Sequence, residues 1–128
     1  MKWVFKVLAI SLVLQGFQCS DSNNTSGLIT STQLETKKQE IQNYINSSSC
    51  YENLGCGYIA FGSKPCGGPW SYLVFSNSVN LDKLKEMVLN YNEMNRLYNI
   101  QTNAMSDCMA ITPPTEVKCV NGVCTVIK

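Results

Sequence analysis

The sequence predicts an α+β fold, with two helices packed on a small antiparallel sheet in one disulfide-rich domain. Two segments, near residues 32–46 and 80–99, repeat apolar residues at helical spacing. Short runs rich in β-branched and aromatic residues lie between and after them, as in strands. Six cysteines follow residue 49, a density typical of small domains that are cross-linked in an oxidising compartment.

The first predicted helix begins at Thr32, where the sequence TQLE matches a capping box. In that motif the Thr32 hydroxyl accepts from the backbone N–H of Glu35, and the Glu35 side chain reaches back to the cap. One side of this helix carries apolar residues at helical spacing: Leu34, Ile41, Tyr44 and Ile45. We therefore expect an amphipathic helix that ends near Asn46.

The second predicted helix begins after Asn80, a good N-cap, with Val79 and Leu84 at the two positions of a hydrophobic staple. Its apolar stripe recurs every three or four residues: Leu84, Met87, Val88, Tyr91, Met94 and Tyr98. Such a stripe indicates core packing.

Two strands are predicted between the helices, at 58–61 and 70–76. In the second, alternation places Trp70, Tyr72, Val74 and Ser76 on one face and Leu73 and Phe75 on the other. Near the C-terminus, Asn121-Gly122 lies between β-forming residues, which predicts a hairpin with a two-residue type I′ turn.

The hairpin places Cys119 and Cys124 opposite each other, close enough for a disulfide between its strands. The alternative is that both thiols point to one face and reach different partners, joining the hairpin to the Cys50/Cys56 segment and to the Cys108 loop. Cys66 completes the set of six. Many connectivities are possible, and the sequence does not choose among them.

The N-terminus predicts an export signal over residues 1–18. Lys2 and Lys6 precede an apolar run, Val7–Leu14, that is shorter than the roughly 20 residues needed to cross a bilayer. Cys19 follows, and a polar segment continues to residue 31. We expect a signal peptide at 1–18, a lipid-attached tether at 19–31 and the disulfide-stabilised domain at 32–128.

Cys19 with the following SDSNNTSG resembles the start of mature bacterial lipoproteins, especially those of Bacteroidota. The resemblance implies a diacylglycerol group on the Cys19 thiol and a location in the cell envelope, at the outer membrane or the cell surface. The cysteine count agrees, because the chain has 7 and removing Cys19 leaves an even number for pairing. The alternative is ordinary signal-peptidase cleavage, which gives a freely secreted protein.

Composition excludes several chemistries. The sequence contains no histidine, which excludes Ser-His-Asp and Cys-His nucleophiles and histidine metal sites. The cysteine spacings lack the C-x₂-C knuckle of zinc sites, and the acidic residues are scattered. Without Lys2 and Lys6, 8 basic residues face 9 acidic ones, so nothing indicates nucleic-acid binding. We predict no catalytic residue, no cofactor and no metal, and therefore not an enzyme.

The stretch FGSKPCGGPW, residues 61–70, predicts a rigid turn pinned by Cys66. We interpret it as a candidate binding loop, with Lys64, Pro65 and Trp70 as contact residues for an envelope or extracellular protein. One alternative is a protease inhibitor that presents loop 62–69, with Lys64 entering a trypsin-like pocket. Another is a structural envelope lipoprotein in which Trp70 is buried in the core with Tyr72 and Phe75.

A wider resemblance covers residues 50–124. The run C-x₉-CGGPWSYLVFS, the long second helix, MSDC and VKCVNGVC are similar to a group of small exported bacterial proteins with a CGGP-aromatic segment and a cysteine-rich C-terminal end. The resemblance implies this scaffold and export. It supplies no catalytic residue, and the group has no settled function.

Overall fold

A computed structural model of the chain describes residues 27–127. The predicted signal peptide and Cys19 lie outside the described residues. The helices and strands, in chain order, are α1 (Ser31–Asn46), β1 (Cys56–Phe61), β2 (Ser71–Ser76), α2 (Leu81–Gln101), β3 (Glu116–Val120) and β4 (Val123–Ile127). The predicted α+β class is confirmed, with three disulfides in a single small domain.

The strands form two separate two-stranded antiparallel sheets, where the sequence suggested one. In the first sheet β1 pairs with β2, so that Phe61 lies opposite Ser71. In the second, β3 pairs with β4, and Cys119 lies opposite Cys124. Asn121 and Gly122 have φ of 51° and 79°, as a type I′ turn requires.

The cap of α1 lies two residues earlier than predicted. The Thr30 hydroxyl accepts from the Gln33 backbone N–H at 3.2 Å, and the Gln33 side chain accepts from the Thr30 N–H at 2.8 Å. The box at Thr32 and Glu35 was therefore wrong in position, because the same spacing of a hydroxyl and a long polar side chain occurs at Thr30. The Asn80 cap of α2 is confirmed, since its side chain accepts from the Lys83 N–H at 3.0 Å.

The folded domain also begins earlier than residue 32. Ile29 packs against the core, and its backbone is held by one side chain at the end of α2. The Ile29 N–H donates to Gln101 Oε1 at 2.9 Å, and Gln101 Nε2 donates to the Ile29 carbonyl at 2.7 Å. Ile29 therefore lies beside the C-terminus of α2.

The core lies between the helices and the first sheet. Its buried members are Leu34, Ile41, Phe61, Phe75, Val79, Leu84, Val88 and Tyr91. Phe61 stacks on Tyr91 with ring centroids 4.2 Å apart, which joins the end of β1 to α2. Burial raises the pKa of the Tyr91 phenol, and the negative charge of Glu35 adds to this shift. Within residues 27–127, neither helix is long and apolar enough to cross a membrane.

Two disulfides attach the β3–β4 hairpin to the segment that leads into β1, namely Cys50–Cys119 and Cys56–Cys124. The Cys50 N–H also donates to the Gly122 carbonyl at 3.0 Å. The bridge between Cys119 and Cys124 is therefore the wrong alternative. The other alternative is correct in that both thiols reach the Cys50/Cys56 segment.

That alternative also expected a bridge between the hairpin and Cys108, and this part of it is wrong. Cys108 pairs instead with Cys66. The third bridge thus ties the loop between β1 and β2 to the segment that follows α2.

Candidate binding loop

The loop between β1 and β2 is fixed by three asparagines on one side of α2. The Gly62 N–H donates to Asn92 Oδ1 at 2.7 Å, and the Ser63 N–H donates to Asn95 Oδ1 at 2.8 Å. One turn further along, Asn99 Nδ2 donates to the Ser63 carbonyl at 2.6 Å. Side-chain amides therefore satisfy backbone groups of the loop that no strand partner reaches.

Lys64 points into the protein. Its ammonium donates to Asp107 Oδ1 at 2.8 Å and to the Met109 carbonyl at 2.9 Å, and its side chain is only 4% exposed. The ammonium also lies 5.2 Å from the centroid of a Trp70 ring, a cation–π contact. The prediction that Lys64 is a contact residue on the surface does not agree with this placement, because its charge is used to hold the segment after α2.

The turn of the loop is closed by its own backbone. The Gly67 N–H donates to the Lys64 carbonyl at 2.9 Å, and the Lys64 N–H donates to the Gly68 carbonyl at 2.9 Å. Both glycines have positive φ, 93° and 81°, in a region that residues with a Cβ rarely adopt. With the Cys66 bridge, this turn is rigid, and Pro65 lies exposed on it.

Trp70 is 43% exposed and is therefore not the core residue that the structural alternative expected. Of the three aromatics in that alternative, Phe75 is buried, whereas Tyr72 is half-buried and makes an edge contact with Tyr58. The Trp70 side chain packs directly on the backbone of Gly62. The ring is thus supported on one side by the loop and open to solvent on the other.

Gly62→Ala should test this packing. A Cβ at Gly62 would lie 2.8 Å from Trp70 Cδ1, at a φ of 80°. We expect a loss of about 2 kcal/mol in the free energy of unfolding, from backbone strain and displacement of the ring.

Gly67→Ala is the matched control, because its φ is also positive but no atom lies within 4 Å of the added Cβ. We expect a loss of about 1 kcal/mol from strain alone. Urea unfolding of both variants measures the difference, and equal losses would contradict a close Trp70 contact.

An open groove of about 520 Å³ lies beside the contact between the loop and the last turns of α2. Pro65, Arg96, Asn99 and Ile100 are among the residues that line it. Arg96 donates to both carboxylate oxygens of Glu93, at 2.8 and 2.7 Å, and this hydrogen bonding lowers the pKa of the Glu93 carboxyl. The charge of Arg96 is therefore already paired.

Three sulfurs lie within 4.8 Å of one another, those of Cys50, Cys56 and Cys124. All three belong to the two adjacent disulfides of the hairpin. A sulfur in a disulfide is not a thiolate, which is the form that binds metal. The proximity therefore reflects adjacent cross-links.

The structure brings the three predicted contact residues into one loop, with Lys64 and Trp70 in contact, while Cys19 lies outside the described residues. Sequence reasoning missed the asparagines that fix this loop. The available signal was their spacing, three and then four residues apart, which puts Asn92, Asn95 and Asn99 on one side of a helix.

No protein-family model, no curated protein and no solved structure matches the chain. The fold and the loop together therefore define a class in structural terms only: a small α+β domain cross-linked by three disulfides, with a rigid loop that carries a partly exposed tryptophan.

Proposed function

We propose that the protein is an exported interaction module, anchored to a membrane through Cys19, that binds its partner with the exposed part of the loop between Pro65 and Trp70. The observation that carries the proposal is the exposure of Trp70, at 43%, on a loop held by a disulfide, an ion pair and three asparagines. Many constraints on one short surface loop favour a role in recognition.

The rigidity of the loop favours binding, because a mobile loop would have to be ordered when it contacts a partner. A loop that is already ordered loses little conformational entropy when it docks, and more of its contact energy appears as affinity. Tryptophan is enriched among the residues that dominate binding energies, since it supplies a large apolar area and one hydrogen-bond donor. Trp70 is such a residue, and the loop that carries it is already ordered.

The cysteine pattern supports export and an anchor. The described cysteines form three intramolecular bridges, which are typical of oxidising compartments. The one cysteine outside these bridges, Cys19, is then left to carry the lipid.

The placement of Lys64 does not favour the protease-inhibitor alternative. A lysine that enters a protease pocket must extend from the surface, whereas the Lys64 side chain is 4% exposed and paired with Asp107. Extending it would break that ion pair and the bond to the Met109 carbonyl.

The anchor is tested by the intact mass of the protein purified from its native membrane, before and after reduction and alkylation. We expect a chain that begins at Cys19, carries acyl groups and gains six alkylated thiols only after reduction. An unlipidated chain would refute the anchor.

The binding surface is tested by a photoreactive residue at Pro65, with the same residue at Gln42 as control. Both positions are exposed, and Gln42 lies on α1, outside the loop. We expect a discrete adduct from Pro65 that weakens in Trp70→Ala, with its mass showing whether it is protein or lipid. Equal labelling from Gln42 would count against a specific surface.

A further inference from the structure

Large apolar side chains are exposed together at one end of the domain, which we call the tether end. They are Leu28, Trp70, Ile100, Met105 and Met109. Met105 is 93% exposed and Met109 is 70% exposed, so neither contributes to the core. Several long apolar side chains left in water at one end of a domain indicate a contact surface.

Hydrogen bonds place these residues near one another. The Lys64 ammonium binds the Met109 carbonyl and lies 5.2 Å from a Trp70 ring centroid. The Ala104 N–H donates to the Asn99 carbonyl at 2.9 Å, which holds the residue before Met105 against the last turn of α2. The loop and the segment after α2 therefore share one end.

The first residues that the structure describes lie at this same end. Gln101 holds both backbone groups of Ile29, and Leu28 precedes it. Only the 10 residues from Cys19 to Leu28 separate the predicted lipid from that point. Since an extended chain spans at most about 3.5 Å per residue, the tether end stays within about 35 Å of the anchor.

Charges at the tether end are paired within the protein. The Lys64 ammonium is bound by Asp107 at 2.8 Å, and Arg96 is bound by Glu93 at 2.7 Å. Placing this surface against lipid therefore leaves neither cation without a counter-ion. Unpaired charges at an apolar boundary would oppose such a contact.

We propose that the tether end binds the lipid surface of the membrane that holds the anchor, with Trp70, Met105 and Met109 entering the interface. This inference rests on the proposed lipid attachment at Cys19. Tryptophan favours the boundary between headgroups and acyl chains, because its ring is apolar and its N–H can stay hydrated. A short tether also raises the effective concentration of lipid around this surface, so that weak contacts suffice.

Fluorescence of Trp70 tests the contact. The other tryptophan, Trp3, lies in the predicted signal, and Trp70→Phe identifies which emission belongs to the loop. The lipidated protein is placed in vesicles of phosphatidylethanolamine and phosphatidylglycerol, with and without brominated phosphatidylcholine, whose bromine quenches indoles that contact the acyl region. We expect brominated lipid to lower the Trp70 emission about twofold. We also expect this emission to be blue-shifted relative to that of an indole in water, as for an interfacial ring.

Met105→Asp with Met109→Asp should abolish this quenching. The matched control is Tyr51→Asp with Leu54→Asp, which alters two exposed residues at the opposite end. Tyr51 and Leu54 lie in the turn between α1 and β1. The Asn77 side chain, which follows β2, donates to the Leu54 carbonyl at 2.8 Å. The control should keep the quenching.

Three results would overturn the inference. An unquenched Trp70 on protein shown by its mass to carry lipid would assign the tether end to a protein partner and leave the proposed function standing. Quenching that persists in the methionine double variant would show that Met105 and Met109 do not enter the interface, against the proposal. A mass without lipid would refute the anchor and this inference with it, while the Pro65 crosslink still tests the loop as a binding surface.

Discussion

Reduction of the three disulfides is expected to lower the melting temperature of the domain by at least about 20 °C. Two of the bridges close sequence separations of 69 and 68 residues, and the third closes 42. A bridge of this kind contributes about 2–4 kcal/mol, mainly by limiting the unfolded chain. A small domain has about 5–15 kcal/mol in total, so losing three bridges removes most of it.

The hairpin should be the first part to separate. Its side chains are half-buried or exposed in β3 and β4, and none belongs to the buried core. It is held to the rest by Cys50–Cys119, Cys56–Cys124 and the bond from the Cys50 N–H to the Gly122 carbonyl. Without the bridges, a two-stranded hairpin is marginally stable in water.

Thermal unfolding followed by circular dichroism, with and without a phosphine reductant, measures this effect. Each 1 kcal/mol corresponds to about 4–8 °C for a domain of this size, which gives the expected shift. The oxidised protein treated with alkylating agent alone is the control and should melt as before. The same melting curve with reductant, in protein shown by thiol titration to be reduced, would mean that the bridges do not stabilise the fold.

Local patterns predicted the helices and the hairpin turn because each is determined by neighbours in the sequence. Asn80 caps α2 through the Lys83 N–H three residues away, and Asn121-Gly122 meets the backbone demands of a type I′ turn. The cap of α1 was misplaced because two similar motifs overlap there. Sequence rules alone do not decide between two overlapping capping boxes. The packing of Ile29 against the core favours the box that begins at Thr30.

The arrangement around the loop was not predictable, because its partners are distant in the chain. Lys64 meets Asp107 across 43 residues, and Gly62 meets Asn92 across 30. Sequence composition showed that the loop is rigid, since Pro and Gly fix or permit particular φ values. It did not show which way Lys64 points, because a lysine beside a turn is exposed far more often than it is buried.

Replacing Asp107 should cost more free energy of unfolding than replacing Lys64, its partner in the ion pair. Asp107→Ala leaves the ammonium almost fully buried with only the Met109 carbonyl and a Trp70 ring as partners. We expect a loss of about 2–4 kcal/mol in the free energy of unfolding, somewhat less than for a fully buried pair because the Asp107 side chain is 62% exposed.

Lys64→Met should cost about 1 kcal/mol or less. Methionine keeps most of the side-chain volume and removes the buried charge, while Asp107, already 62% exposed, becomes hydrated. The remaining loss comes from the Met109 carbonyl, which gives up a hydrogen bond, and from the contact with Trp70.

The double variant decides whether the pair explains this difference. If the cost of Asp107→Ala arises from an unpaired ammonium, it should disappear once Lys64 is methionine, and the double variant should match Lys64→Met. Urea unfolding of the four proteins gives the coupling energy, which should equal the cost of Asp107→Ala alone, about 2–4 kcal/mol. Additive losses would mean that each side chain acts alone, and the loop would then depend on Cys66–Cys108 and the asparagines to hold the segment that carries Met105 and Met109.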